Sequence, residues 1–164
     1  MMDDEARQTM ADLTAVPHPL ELAILRCAGV LFGIEVQWVR EIRPFTRPTP
    51  IYGLPPFWVG VTALRGELYA VLDLAQLLCP WQNSAEPRRQ IVFAVANNLP
   101  VGLLVDEVLA VRSVSLPEAT AVSAPDASYR LGTTPDQITI LDLPALLTHP
   151  RLMSLAGRAN GSET

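Results

Sequence analysis

Short runs in which apolar residues alternate with polar or turn-forming residues predict a chain made of β-strands. Apolar and charged residues alternate over residues 39–43, which is typical of a strand with one face in water. Residues 59–64 and 68–72 predict a hairpin around Arg65 and Gly66, because glycine readily adopts the positive φ that such turns need. The other predicted strands span residues 20–31 up to a turn at Ala28 and Gly29, 32–36, 91–96, 101–105, 108–114 and 137–141.

One short helix is predicted after a strand in each half of the chain. Asp73 and Asp142 directly follow strands, where a carboxylate can accept hydrogen bonds from the first free amides of a helix. The first helix is predicted over residues 74–79, with Gln76 bonding back to Asp73 as in a capping box. The second helix is predicted over residues 143–148.

The pattern of strands and helices repeats at an offset of 69 residues. Residues 33–42 (GIEVQWVREI) reappear as residues 102–111 (GLLVDEVLAV), with the glycine and most apolar positions in step. Residues 70–78 reappear as residues 139–147, with five identities in nine. Two blocks at one spacing indicate a tandem duplication of two like units. Because a single unit of about 65 residues would be marginally stable, we expect the two units to share an interface.

The predicted fold is mainly β, with two tandem five-stranded barrel subdomains and short helices. Residues 20–88 are predicted to form the first subdomain and residues 89–152 the second. Residues 1–19 and 153–164 are polar and aperiodic, which predicts flexible tails. Two proline-containing segments, residues 44–56 and 116–129, are predicted to be loops.

Charge and hydropathy narrow the classes of partner. The net charge is −5 and the sequence has no basic run, which argues against nucleic acid and against anionic membranes as partners. Charged residues such as Asp73 and Asp106 interrupt each apolar stretch before it reaches the length of a membrane span. The first residues also lack the features of a secretory signal. We therefore expect a cytoplasmic protein with protein partners and no direct membrane insertion.

The chain offers no clear constellation for catalysis, for a metal or for a cofactor. Cys27 and Cys79 are isolated among apolar residues, which predicts buried core thiols. Asp73 and Asp142, one in each unit, resemble the paired carboxylates of an aspartic protease, but helix capping explains both. An aspartate-dependent hydrolase stays open as a remote alternative.

A generic SH3-like module that binds peptides or small ligands is a second alternative. Grooves that recognise proline-rich peptides need aromatic side chains gathered on one face. Tyr52, Tyr69 and Tyr129 are scattered along the sequence, which disfavours such a groove. Trp81, which follows a predicted helix end, is the tryptophan most expected to be exposed.

Several short motifs in a fixed order resemble the CheW-like adaptor family of bacterial chemosensory systems. The resemblance covers about residues 20–152, with Ala63 standing where the family usually has asparagine. The motifs that carry it are residues 33–36 (GIEV), 39–43 (VREIR), 60–67 (GVTALRGE), 71–74 (VLDL) and 101–108 (VGLLVDEV).

The resemblance implies two five-stranded SH3-like subdomains with a groove between them and no catalytic activity. Members of this family join the cytoplasmic tip of a chemoreceptor to the regulatory domain of a histidine kinase. The resemblance therefore implies that the protein acts in the cytoplasm at membrane-associated receptor arrays and needs no cofactor. It leaves open whether the output is flagellar movement, twitching pili or another pathway.

Arg65 is the strongest candidate for partner binding, because a guanidinium at a hairpin tip can form paired hydrogen bonds with a carboxylate. The alternative for Arg65 is a surface ion pair with Glu67, and the alternative for the apolar candidates is core packing. The receptor-binding groove implied by the resemblance comprises Val36, Val39, Ile42, Arg65, Gly102 and Val105. The implied kinase contacts are Glu41, Arg43 and Gly60.

Overall fold

Antiparallel hairpins make up most of the structure, a computed structural model that describes residues 19–80, 87–115, 129–149 and 152. Two short helices, α1 (Leu74–Leu78) and α2 (Leu143–Leu147), and a 3₁₀ turn at Val36–Trp38 complete it. Within these residues, neither helix is long and apolar enough to cross a bilayer. The strands are β1 (Leu20–Cys27), β2 (Val30–Glu35), β3 (Val39–Pro44), β4 (Trp58–Leu64), β5 (Glu67–Asp73), β6 (Gln90–Ala96), β7 (Leu99–Val105), β8 (Glu107–Val114), β9 (Arg130–Thr133) and β10 (Thr139–Leu141).

The strands form two five-stranded sheets. Sheet 1 has the order β8-β1-β2-β10-β9, and sheet 2 has the order β3-β6-β7-β5-β4. The β2–β10 and β5–β7 pairs are parallel, and the other pairs are antiparallel. The predicted mainly β class with two five-stranded SH3-like units is confirmed. No strand pairing among the described residues joins the two edges of either sheet, so both barrels are open.

The sequence repeat relates the two sheets, and each repeat contributes strands to both. At the offset of 69 residues, β1–β5 correspond to β6–β10. Sheet 1 combines β1 and β2 with β8, β9 and β10, while sheet 2 combines β3, β4 and β5 with β6 and β7. The register is the same in both, since Gly33 lies opposite Ile140 and Gly102 lies opposite Val71. The two repeats therefore exchange their first hairpins, and neither sheet coincides with residues 20–88 or 89–152.

Among the described residues, three apolar cores hold the sheets together, and the inner strands bury both faces. On β1, Leu22 and Ile24 face the core of sheet 1, whereas Ala23 and Leu25 face a larger core between the two sheets. Strand β6 alternates in the same way between the core of sheet 2 and the inter-sheet core. The expected interface between the two units is thus present, and it is the largest of the three cores.

The two cysteines are buried, as predicted, and they lie in the inter-sheet core. Cys27 and Cys79 are both free and buried. Burial raises the pKa of each thiol, and the nearby carboxylate of Asp106 raises the pKa of Cys27 further. Both side chains therefore stay protonated and act as small apolar groups.

Both helices begin at the predicted aspartates. Asp73 accepts hydrogen bonds from the amides of Ala75 and Gln76 at 3.1 and 3.3 Å, and Asp142 accepts one from the amide of Ala145 at 3.3 Å. The predicted capping box is wrong in one respect, because the amide of Asp73 donates instead to the carbonyl of Phe57 at 2.7 Å. The amide of Asp73 is therefore satisfied by a contact with a distant residue and not by the side chain of Gln76.

The second half differs from expectation in two places. Strand β9 is not predicted by the sequence, since its four residues include a glycine and carry little alternation. Strand β10 is shorter than residues 137–141, because Gln137 has a φ of +66° and belongs to the preceding turn. The predicted loop over residues 116–129 lies outside the described residues except for the buried Tyr129, and Trp81 lies outside them as well.

Candidate partner-binding surface

Strand β3 forms an edge of sheet 2 and carries four of the nine predicted site residues. Within the described residues it pairs only with β6, so its other side presents backbone groups without strand partners. Ile42 lies opposite Val92, which faces the inter-sheet core, whereas Glu41 lies opposite Phe93, which faces the core of sheet 2. Directly opposed residues share a face of a sheet. The two faces of β3 therefore carry different chemistry, one apolar and one charged.

The apolar face continues from the 3₁₀ turn along β3, and we call Val36, Val39 and Ile42 the seam strip. Val36 and Val39 are partly buried and pack against the inter-sheet core. Ile42 is 38% exposed. The seam strip is therefore partly buried against the inter-sheet core at Val36 and Val39 and exposed to solvent at Ile42.

Arg65 lies at the tip of the β4–β5 hairpin and clamps Glu41 on the charged face of β3. Arg65 and Gly66 have φ values of +51° and +80°, the signs that a two-residue type I′ turn requires. The Nε and Nη2 atoms of Arg65 each donate to a different oxygen of Glu41, both at 3.2 Å. Arg43 donates to the same carboxylate at 3.0 Å. The alternative pair with Glu67 is not formed among the described contacts, and the clamp instead connects two elements at opposite edges of sheet 2.

The clamp leaves a charged group available to solvent. The side chain of Arg65 is 74% exposed, while that of Glu41 is 23% exposed. Hydrogen bonds from Arg65, and secondarily from Arg43, lower the pKa of Glu41, and the carboxylate raises the pKa of Arg65. Both groups are therefore charged at neutral pH, and the exposed guanidinium can meet an acidic group on another protein.

Three predicted site residues are buried instead of lying on this surface. A Cβ atom on Gly60 would lie 2.1 Å from the carbonyl oxygen of Thr49, so this glycine lets the proline-rich loop lie against β4. Gly102 faces the core of sheet 2, where a Cβ atom would lie 3.1 Å from the Cγ2 atom of Ile91. Val105 is fully buried in the inter-sheet core. These three residues pack in the interior and support the strands that form the surface.

The ordered motifs on these strands identify the family. A profile of the CheW-like domain matches residues 21–151. The chain belongs to the CheW-like domain family. This match covers both sheets and includes every residue of the seam strip and of the Arg65 clamp.

Individual CheW proteins are similar to this CheW-like chain in sequence and in fold. The chemotaxis protein CheW of Rhizobium meliloti (strain 1021) is 36% identical over 97 residues, which span 58% of this chain and 61% of that relative. The chemotaxis protein CheW of Klebsiella aerogenes is 28% identical over 147 residues, which span 85% of this chain and 89% of that protein. The crystal structure of the scaffolding protein TtCheW from Thermoanaerobacter tengcongensis matches 81% of this chain and 90% of its own with a TM-score of 0.69 at 24% identity, which shows a shared fold.

A buried ion network in this CheW-like chain was not predicted from the sequence. The Nη1 atom of Arg88 lies 3.2 Å from Asp106, and its Nε atom lies 3.3 Å from Asp73. The other oxygen of Asp106, a residue only 2% exposed, accepts a hydrogen bond from the amide of Ala28 at 2.8 Å. The network thus ties the β1–β2 turn of sheet 1 to sheet 2. Its one sequence signal is that Asp106 interrupts an apolar run at a position where the first repeat has Gln37.

The residues considered for other activities have structural roles here. Asp73 and Asp142 each cap their own helix, and Asp73 also binds Arg88. Tyr69 is buried against Phe93, whereas Tyr52 is 90% exposed on the proline-rich loop. The described residues contain no group of three histidine, cysteine or acidic side chains placed to hold a metal ion.

Proposed function

We propose that this CheW-like chain is a non-catalytic adaptor that couples chemoreceptors to a histidine kinase of the CheA type. The observation that carries the proposal is that the edge strand β3 joins an apolar seam strip on one face to the exposed Arg65 clamp on the other. Apolar area next to paired charges is the composition of a protein-binding surface, in which the apolar part contributes most of the affinity and the charges set specificity. The names of the chemotaxis relatives support the same role.

For the receptor, we propose a contact between the seam strip and an amphipathic helix at the receptor tip. Val39 and Ile42 lie on β3 and Val36 lies on the 3₁₀ turn that precedes it, and such a row of apolar side chains fits the apolar face of a helix. Arg65 would then pair with a carboxylate on the receptor. Gly102 and Val105 would act indirectly, because they are buried in the cores that support the seam strip.

For the kinase, we propose that the charged face of β3 meets the regulatory domain. Glu41 and Arg43 are linked to each other and to Arg65, so the residues assigned to the two partners form one cluster. If a receptor carboxylate bound Arg65, Glu41 would lose its hydrogen bonds from Arg65. Its carboxylate oxygens could then accept hydrogen bonds from the kinase. Such an exchange would couple the two binding events reciprocally. Gly60 would act indirectly, by keeping the proline-rich loop against β4.

An adaptor must contact more than one protein, and the duplication supplies a second edge strand. Strand β8, the counterpart of β3, forms an edge of sheet 1, and its Val111 corresponds to Ile42. Val111 is 63% exposed. A chain with two such edges can hold two partners at once, as expected for a protein that works in receptor arrays on the cytoplasmic side of the membrane.

Reconstitution tests this proposal. Receptor cytoplasmic fragments on lipid vesicles and the purified kinase should co-sediment only when the chain is added, and kinase autophosphorylation should then depend on the receptor. Binding to neither component, together with saturable binding of proline-rich peptides, would favour the generic SH3-like module instead. Peptide hydrolysis abolished by Asp73→Asn and by Asp142→Asn would favour the hydrolase.

A further inference from the structure

An apolar cavity of about 360 Å³ lies beside the inter-sheet core. Val101, Leu147 and Leu152 line it and are buried in that core, whereas Leu99, which also lines it, is 47% exposed. The cavity therefore leads from the core to solvent, and it shares no described residue with the seam strip or the Arg65 clamp. Its lining residues, all of them apolar, are Trp58, Ala70, residues 99–101, Leu147 and Leu152.

The first repeat fills the corresponding position of its framework with a larger side chain. Val101 lies opposite Ala70 in a parallel pair, and its counterpart Phe32 lies opposite Thr139 in the same register. Phe32 is buried in the inter-sheet core. The second repeat thus has valine where the first has a buried aromatic ring, which leaves room for an apolar group from elsewhere. The other described counterparts are Val30 and Leu31 for Leu99 and Pro100, Leu78 for Leu147 and, by strand pairing, Arg130 for Trp58.

Leu152 forms one wall of the cavity, and the chain continues from this wall. Its side chain is buried, its backbone is helical, and its amide donates to the carbonyl oxygen of His149 at 2.9 Å. The start of the following segment is therefore fixed beside the cavity. Residues 153–164 lie outside the described residues, and the apolar side chains larger than alanine among them are those of Met153 and Leu155.

We propose that the cavity is the docking site of residues 153–156 of the same chain, with the side chain of Leu155 as its main occupant. Residues three and four positions apart share a face of a helix, so a helical turn that continues from Leu152 places Leu155 and Ala156 over the cavity. Ser154 then faces away from it. Gly157 follows, and glycine is the residue that most often ends a helix.

The hydrophobic effect favours this docking, because it removes both a leucine side chain and the apolar cavity walls from water. An uncovered apolar opening is a surface on which other proteins can associate. Docking would therefore keep this end of sheet 2 out of partner contacts, and only residues 157–164 would form the flexible tail expected from the sequence. The inference concerns the chain itself and does not depend on the adaptor role.

Nuclear magnetic resonance of the full chain with labelled methyl groups tests the contact directly. Nuclear Overhauser effects should connect the methyl groups of Leu155 with the ring of Trp58 and with the methyl groups of Leu147. Random-coil shifts for the Leu155 methyl groups without such effects would overturn the proposal. Effects seen only between differently labelled copies would assign the cavity to a second copy of the chain, which also overturns it.

Leu155→Asp tests the energetic consequence of docking. It should lower the melting temperature by about 4 °C or more and increase the fluorescence of a dye that binds apolar surface, because the cavity is uncovered. Ser154→Asp is the matched control, since it adds the same charge one residue earlier on the face that points away. It should shift the melting temperature by about 1 °C or less. Equal effects of the two substitutions would contradict docking through Leu155.

Val101→Phe gives the second repeat the aromatic side chain of the first, so its ring should occupy the cavity in place of Leu155. In the Val101→Phe chain, Leu155→Asp should no longer lower the melting temperature. An undiminished effect of Leu155→Asp in a folded Val101→Phe chain would show that the two side chains do not share the cavity. If Val101→Phe prevents folding, the methyl contacts and the comparison of Leu155→Asp with Ser154→Asp decide the question.

A partner protein is the remaining alternative occupant. In that case Leu155→Asp would leave the melting temperature of the free chain unchanged, while Val101→Phe would weaken binding of a receptor fragment or of the kinase regulatory domain. That combination would assign the cavity to the partner and overturn its assignment to residues 153–156. If the segment docks as proposed and neither partner binds the native chain, the docking site stands and the proposed function is wrong.

Discussion

At the scale of single residues, Arg65 combines an unfavourable backbone conformation with an exposed functional group. A non-glycine residue at positive φ is strained, and asparagine is the residue that type I′ turns favour at this position. The chain therefore keeps arginine at a site where another residue would suit the turn better. The clamp on Glu41 accounts for part of this choice, and the proposed partner contact would account for the exposure of the guanidinium.

We expect Arg65→Asn to separate the turn from the contact. Asparagine suits the turn and removes the guanidinium, so the melting temperature should stay within about 2 °C or rise. Receptor or kinase binding should weaken by about tenfold or more, since arginine is a frequent binding hot spot. Thermal unfolding and isothermal titration with purified partners measure the two effects.

Arg65→Lys is the matched control, because it keeps the charge but loses the planar fork, and it should restore binding only in part. A clear loss of stability in Arg65→Asn with unchanged partner affinity would assign Arg65 to the fold alone.

The ion pair of Asp136 with Arg112 links the β9–β10 turn to β8, which are the elements of sheet 1 that correspond to those joined by the Arg65 clamp. Hydrogen bonds from Arg112, and secondarily from the hydroxyl of Thr134, lower the pKa of Asp136 from the ordinary 3.8 to about 2. The carboxylate therefore favours the folded state above about pH 3.8, and this contribution is lost as the pH falls toward 2. Arg112→Gln should raise the pKa of Asp136 toward 3.8, as a carboxyl NMR titration would show. An unchanged midpoint would mean that the ion pair does not form in solution.

At the scale of elements, Gly60 decides whether the proline-rich loop can pack on β4. Thr49 and Val61 exchange backbone hydrogen bonds of 2.8 and 2.9 Å beside this glycine. Gly60→Ala would bring a methyl group to 2.1 Å from the Thr49 carbonyl oxygen, so the loop must move away. We expect a loss of roughly 1–3 kcal/mol in unfolding free energy and faster hydrogen exchange at the Thr49 and Val61 amides.

Gly53→Ala in the same loop is the control for Gly60→Ala. Gly53 also has a positive φ, but a Cβ atom there would have no atom within 4 Å. Its substitution should strain the backbone without changing hydrogen exchange at Thr49 and Val61. Equal effects of the two substitutions on exchange would show that the close approach at Gly60 is unimportant.

Local signals predicted most elements, whereas tertiary contacts decided what they do. The helix starts at Asp73 and Asp142 and the turn at Arg65 depend on neighbouring residues, so the sequence reveals them. Apolar alternation shows which positions avoid water, but it does not show what covers them. For that reason Val105 and Ile42 looked equivalent, although one is fully buried and the other is exposed.

At the scale of the whole molecule, the duplication was visible in the sequence but the exchange of hairpins was not. Pairing of β3 with β6 and of β8 with β1 joins residues far apart along the chain, and either repeat could in principle have paired with itself. The ion network of Arg88 was hidden for the same reason, because its partners come from different elements. Because the hairpins are exchanged, both repeats contribute residues to the inter-sheet core.

This architecture predicts that the two repeats cannot fold separately. A chain cut between residues 88 and 89 leaves each half with strands of both sheets but a complete set of neither. The first half would keep β3, an edge strand, without β6, and the second would keep β8 without β1. Each half would expose the strands and apolar residues that form the inter-sheet core, so it should lack a cooperative thermal transition.

Mixing the two halves should restore the fold, because every strand partner is then present. Circular dichroism should show a cooperative β-sheet transition only for the mixture, and size-exclusion chromatography should show a one-to-one complex. The control is the intact chain under the same conditions. A cooperative transition in either isolated half would mean that a repeat can pair its own strands into a closed unit, and the exchanged hairpins would then be one of two accessible arrangements. Failure of the mixture to assemble, with both halves unfolded, would instead show that the covalent link between α1 and β6 is needed to bring β3 and β6 together.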